Sequence, residues 1–270
     1  MKLKKFIKYI TPEIILDLYR ILKRYPTFFR NREILKRNLM LRCKSSGKKC
    51  IFLGNGPSLD LFSIPNLDSV DVFACNDFFQ IKGAKKVNIT FYLNFDVSEA
   101  WINNIQLYLK SNPPKYFIFS LHSKQRVESS NFYNLYPKDN IFYLHGLHET
   151  KLDKLFFDIT RPVFNIKNVI LGFMLIANYA HYSHASLYGV DLSFLSVRKK
   201  VNIPHAYDNI HNNANVTGVS SYGKMCNSFS ILLKYIELID KYSHTKFKNC
   251  TPESFIDVLE FENLLVDEQS

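Results

Sequence analysis

Strand candidates, most of them short apolar runs, recur along the chain at Cys50–Leu53, Val70–Cys75, Ile89–Leu93, Tyr116–Ser120, Ile141–Leu144 and Ser186–Val190, with a late one near Lys246–Asn249. Each has the length of a strand, and the unbroken apolar character of several suits strands covered on both sides. Helical spacing fills the intervals at Ser98–Lys110, Asn168–His181 and Met225–Tyr242. Strands alternating with helices predict an α/β, Rossmann-like fold, with a mostly parallel sheet and helices on both faces. Residues 192–222 are polar and carry no period; so long a stretch inside a compact domain predicts a lid or a binding element.

The first 47 residues follow a different pattern. Thr11 can cap and Pro12 can open a helix, with Ile14, Ile15, Leu18, Ile21 and Leu22 on one face until Pro26 ends it. A second amphipathic pattern runs through Ile34, Leu35, Leu39 and Leu41. Ser45 to Lys49 is a polar junction, so residues 1–47 are expected to be a helical extension and residues 48–270 the main domain.

Charge sharpens that division. Residues 1–49 hold fifteen Lys and Arg against Glu13, Asp17 and Glu33, so 15 − 3 = +12. The whole chain is +11, which leaves 11 − 12 = −1 for the rest. A basic amphipathic segment of this kind fits an anionic membrane surface. A nucleic-acid-binding domain is not expected, because the basic charge is confined to that segment and no RNA-binding motif is present. Cys43, Cys50, Cys75, Cys226 and Cys250 are scattered with no C-x-x-C pair, so neither zinc nor a disulfide framework is expected. No apolar run is long enough to span a bilayer, no signal-peptide pattern opens the chain and the cysteines are scattered, so a cytoplasmic protein peripheral on a membrane surface is expected.

The chemistry centres on Gly54-Asn55-Gly56-Pro57-Ser58-Leu59-Asp60, directly after the first apolar run. Gly54 and Gly56 are expected to let a ligand approach the backbone. Pro57 is expected to open a helix whose positive end faces that ligand. The stretch departs from the dinucleotide fingerprint, since Leu59 replaces the third Gly and Cys75-Asn76 stands where an acidic residue is usual. That argues against NAD. Asn76 and Asn94 also close apolar runs, so three amides follow three successive strands and can converge on one edge of a parallel sheet. Neutral amides suit a ribose, a pyrimidine edge or a sugar.

No Walker motif and no strand-end Asp-x-Asp is present, which favours a donor with a single phosphate and no metal. Lys167, Tyr207 and Tyr222 could supply charge and hydroxyls. His205 and His211 lie in the polar 192–222 stretch, where an imidazole can act as general base. His181 and His184 stand at a helix end and are expected to cap it or face solvent. Asp191, closing another apolar run, is expected to orient the lid.

Taken in order, Gly54-Asn55-Gly56-Pro57-Ser58-Leu59, Val72-Phe73-Ala74-Cys75-Asn76, Phe91-Tyr92-Leu93-Asn94, Leu187-Tyr188-Gly189-Val190-Asp191 and the Lys246–Phe255 segment resemble the bacterial sialyltransferases of glycosyltransferase family 42, typified by the Campylobacter lipooligosaccharide enzymes. The resemblance covers about residues 48–260. It implies a Rossmann-like domain of the GT-A variant kind, a CMP-activated nonulosonic acid as donor and no metal or other cofactor. It also implies that Asn55, Asn76 and Asn94 bind the donor, that Lys167 stands for the family's arginine, and that the lid base is His205 or His211; Gly54, Gly56, Ser58 and Tyr207 complete the expected donor site on the reading of the residues above. The family's Thr-Ser-Gly turn after its arginine loses its Ser-Gly here, where the chain reads Asn168-Val169-Ile170-Leu171-Gly172, and its two lid tyrosines have no clear match after Asp191.

The expected function is therefore an inverting transfer of sialic acid or a related nonulosonate from a CMP-sugar to a bacterial lipopolysaccharide, lipooligosaccharide or capsule. The alternatives are a Kdo or other sugar transferase on the same scaffold, or a non-catalytic membrane-associated nucleotide-binding protein. Expected partners are the CMP-sugar, a glycan acceptor and the membrane surface through residues 1–47. No nucleic acid is expected, and a homo-oligomer is compatible with the sequence.

Overall fold

The computed structural model describes residues 26–64, 67–146, 157–163, 168–192, 219–252 and 254–262, together with Ile15, Tyr19, Leu22 and Ile166. One eight-stranded sheet organises them, in the order β5-β4-β3-β2-β1-β6-β7-β8, and every neighbouring pair is parallel. The strands are β1 Lys49–Leu53, β2 Asp71–Cys75, β3 Ile89–Asn94, β4 Tyr116–Ser120, β5 Ile141–Leu144, β6 His184–Tyr188, β7 Lys246–Asn249 and β8 Glu260–Phe261. The sheet is Rossmann-like in its parallel pairing and crossovers.

Alternation along each strand feeds two cores. Cys50 and Phe52 of β1 face one, with Phe73, Phe91, Ile118 and Leu144 of its neighbours. Ile51 and Leu53 face the other, with Val72, Tyr92, Phe117 and Tyr143. The helices, in chain order, are α1 Arg32–Lys36, α2 Glu99–Leu109, α3 Lys124–Glu128, α4 Asn131–Leu135, α5 Val169–Tyr179 and α6 Val219–Tyr242. Helices α2, α3 and α4 cover the second core, where Trp101, Ile102 and Ile105 form the buried stripe of α2 and Ser98 caps it by accepting from Trp101 N at 3.1 Å. Helix α5, buried along nearly its whole length, fills the first core together with Ile236 and Ile239 of α6.

Three details differ from the sequence expectation. Helices cover both faces of β1–β5, but β6 buries only alternate residues and β8 is exposed. The 219–222 end of the expected lid is helical and belongs to α6, while 193–218 fall outside the described residues. The end of the N-terminal segment is part of the core: Leu35, Asn38 and Leu41 are fully buried. Asn38 Nδ2 donates to Tyr143 O at 2.9 Å and Ile159 O at 2.7 Å, so a polar side chain ties that segment to β5. Among the described residues no helix is long and apolar enough to cross a membrane.

Candidate active site

β1 lies where the chain reverses its spread across the sheet: β2 to β5 extend to one side of it, β6 to β8 to the other. Open parallel sheets bind ligands just beyond the strand ends at such a point. Here that crevice is bounded by the turn after β1 and by Gly189-Val190-Asp191 after β6.

The turn is clasped to β6. Gly54 N donates to Tyr188 O and Gly56 N to Gly189 O, both at 2.8 Å. A Cβ on Gly54 would stand 2.2 Å from Gly189 O, and one on Gly56 1.6 Å from Asp191 Oδ2. The two glycines thus make room for the chain's own β6 loop rather than for a ligand, and their N–H groups are already used. This corrects the expectation drawn from the glycine spacing. The expected helix at Pro57 is also absent. Pro57 and Ser58 form a turn, and Leu59 N bonds back to Gly56 O at 3.1 Å. Leu59 is buried against Gly189, whose φ of 63° and close packing exclude a side chain there. That contact explains a leucine where a dinucleotide turn would carry glycine. Ser58 Oγ donates to Asp191 Oδ2 at 2.9 Å and locks the two loops together.

The asparagines form a row. Leu53 pairs with Ala74 and Cys75 with Leu93, so two residues beyond β1's pairing and one beyond β2's set Asn55, Asn76 and Asn94 side by side. Two strand spacings separate the outer members, about 10 Å. Asn55 Nδ2 donates to Cys75 O at 3.2 Å, and its Oδ1 is buried with no hydrogen-bond partner among the described residues. An unpaired buried acceptor is costly and calls for a donor from outside the described residues. Asn76 adopts a left-handed backbone, φ 49°, which Asn tolerates better than most residues. It is fixed from several directions: its N–H donates to Leu93 O at 3.0 Å, and its carbonyl accepts from Tyr92 OH at 2.8 Å and Trp101 Nε1 at 2.6 Å. Asn94 is buried, and its Oδ1 accepts from Asp96 N at 3.0 Å, so part of its amide shapes its own turn.

The helix end that reaches this edge is that of α5, which runs from the strand ends back toward the start of β6. Asn168 caps it, accepting from Ile170 N at 2.8 Å. Gly172 packs so tightly on Phe95 that a Cβ would stand 2.3 Å from Phe95 Cζ, which brings the first turn of α5 against the loop after Asn94. The helix's positive end therefore lies beside the row. Lys124 and Arg126, which follow β4, are engaged elsewhere: Lys124 pairs with Glu128 at 3.4 Å, and Arg126 donates to Val97 O. A cavity of about 150 Å³ opens on the β6 side of the crevice, between Ser58, Leu59, Tyr188, Gly189 and Thr251. Thr251 Oγ1 accepts there from Val190 N at 3.1 Å.

His205, His211, Tyr207 and Lys167 lie outside the described residues; so does the side chain of Tyr222. His181 precedes β6 and His184 is its first residue, both at the opposite edge. No protein-family model matches the chain, and no curated protein matches it. Among solved structures, that of a MAf glycosyltransferase from Magnetospirillum magneticum AMB-1 is similar at 14% identity and a TM-score of 0.46. The match covers 90% of this chain and 42% of that one, so the chain spans less than half the length of that protein.

Proposed function

We propose that the crevice beyond β1 and β6 binds a CMP-activated sugar, and that the chain is an inverting glycosyltransferase for sialic acid or a related nonulosonate. One observation carries this reading: three amides stand in register on one edge, and Asn55, at the β1 end of the row, has a buried carbonyl oxygen with no partner among the described residues. A ribose hydroxyl or a cytosine amine is a donor of the right kind, and a neutral amide row favours a nucleoside over a polyphosphate.

In this reading the phosphate lies toward the first turn of α5, where Lys167 precedes the helix. His205, or failing it His211, takes the proton from the acceptor hydroxyl. The hydroxyl oxygen then bonds to the anomeric carbon, and the bond from that carbon to the phosphate oxygen breaks on the opposite face. CMP leaves with the electron pair, and the configuration inverts. No metal is required, and the acceptor is a bacterial surface glycan.

Titration of the full chain with CMP, UMP and GMP, followed by calorimetry, tests the pocket. Selective binding of CMP supports the reading, and absence of CMP binding overturns it. A screen of CMP-sugars then separates a nonulosonate from Kdo.

A further inference from the structure

A parallel sheet gathers all its strand starts on one edge, and here that edge differs sharply in charge from the other. Arg42, Lys44 and Lys48 precede β1, Lys85 precedes β3, Lys115 precedes β4 and Lys246 opens β7, and all six are exposed. Asp68 is exposed among them, and Asp139 is paired with Arg37 at 3.4 Å. Asp71 accepts from Thr90 Oγ1 at 2.9 Å and Tyr182 OH at 2.7 Å. The strand-end edge instead carries Asp60, Asp77, Asp96 and Asp191.

The N-terminal segment runs along the basic edge. Arg37 Nη2 donates to Lys138 O, just before β5, at 2.7 Å. Cys43 N, Ser45 N and Gly47 N bond to Tyr179 O, Ala180 O and His181 O, just before β6. On this path Leu39 and Met40 are more than half exposed, at 53% and 56%. The helical positions Ile15, Tyr19 and Leu22 are also exposed, and their spacing puts them on one helix face. Beside Leu39 a cavity of about 290 Å³ opens, with Arg42, His181 and His244 in its wall. Asp158, also in that wall, accepts from Thr160 Oγ1 and faces Arg161 at 3.5 Å.

Exposed apolar side chains set in a field of cations are costly in water and complementary to one surface in particular, a bilayer with anionic headgroups. We infer that the strand-start edge docks on an anionic lipid bilayer, with Leu39 and Met40 entering the headgroup layer and lipid phosphates taken beside Arg42. The crevice then faces away from the bilayer. A strand of five residues spans about 17 Å, so the acceptor sugar must stand at least that far from the lipid surface. This holds whatever the donor is.

The test uses the full chain and sedimentation with vesicles. Binding is expected to phosphatidylcholine mixed equally with phosphatidylglycerol and not to phosphatidylcholine alone, and it should weaken as salt is raised. A variant with Arg42→Glu, Lys48→Glu, Lys85→Glu and Lys115→Glu should lose at least ~100-fold in partitioning, since each cation near such a surface is worth about 1 kcal/mol. Its CMP affinity should stay at the wild-type level. Lysine acetylation of the wild-type protein gives an independent reading, because vesicles should shield Lys48, Lys85 and Lys115 and leave Lys124 reactive. Equal binding to neutral vesicles, or shielding of Lys124 instead, overturns the inference. So does stronger protection of these lysines by an RNA duplex than by anionic vesicles, which would assign the edge to nucleic acid.

Discussion

Gly56 and Asp191 meet at a distance that leaves no room for a side chain at position 56, since an added Cβ would stand 1.6 Å from Asp191 Oδ2. An added Cβ on Gly54 would stand 2.2 Å from Gly189 O. The two contacts differ in what can yield. The Asp191 carboxylate can swing aside, leaving a Cβ on Gly56 at 2.7 Å from Gly189 O, whereas the backbone carbonyl that faces Gly54 at 2.2 Å cannot move. Gly54→Ala should therefore cost about 1–3 kcal/mol, in the range of an overpacked core site. Gly56→Ala should cost less in stability but break the Ser58–Asp191 bond. Urea unfolding of both variants checks this order, and no loss in either would mean that the turn is not clasped to β6.

The asparagine row can be dissected by amide. Asn55→Ala should weaken CMP binding by about 1–3 kcal/mol with little change in melting temperature. For Asn76 the informative change is Asn76→Gly, which keeps the left-handed backbone comfortable while removing the amide. It should lose affinity without losing stability. Asn94→Ala should lose both, because its Oδ1 caps its own turn at Asp96 N. Calorimetry showing unchanged CMP affinity in all three folded variants would remove the row from the donor site.

His205→Ala should lower kcat by about 10²–10⁴-fold and leave CMP binding intact. A base must be unprotonated to work, so the rate should rise with pH as the imidazole loses its proton. If His211→Ala shows this loss and His205→Ala does not, the base moves by six residues. Normal turnover in both variants would end the proposal of a lid histidine.

Transfer should persist in EDTA. Complete loss, restored by manganese, would contradict a mechanism in which amides, a helix end and Lys167, and no metal, hold the leaving group.

Truncation separates the N-terminal segment into two parts. Removing residues 1–25 should leave a folded domain. Removing residues 1–47 takes away Leu35, Asn38 and Leu41, all fully buried. A buried leucine reduced to alanine typically costs 2–5 kcal/mol, roughly the scale expected for each leucine here. The longer truncation should therefore unfold at much lower urea or fail to accumulate. Equal stability of the two would show that the segment is an independent appendage.

The strands were legible because each apolar run is short, is bounded by turn residues and sits between helical patterns. Tyr116–Ser120, Ile141–Leu144 and Lys246–Asn249 match their expected bounds. β8 was not legible, since two exposed residues carry no pattern. The burial of Asn38 was hidden for a related reason: a polar residue in a basic stretch reads as solvated, and only the carbonyls of Tyr143 and Ile159 show otherwise. Pro57-Ser58 misled because the same residues open helices and form turns. The glycines announced a need for space, but a sequence does not say what fills it. The asparagine row could be foreseen from strand ends and parallel pairing alone. The approach of α5 could not, because Phe95 and Gly172 are far apart in the chain and nothing local in either predicts their contact.

The pairing of β1 with β6 also sets an order in time. Lys49 pairs with His184, so the two strands are 184 − 49 = 135 residues apart, while β2 follows β1 closely. At ~5–20 residues per second of synthesis, β1 waits roughly 7–27 s for its second neighbour. Through that interval the half-sheet from β1 to β5 can form with one side of β1 bare, an edge that invites pairing with other chains. The crevice beyond β1 and β6 is the seam between this early half and the late one, so it comes into being only when β6 closes the gap.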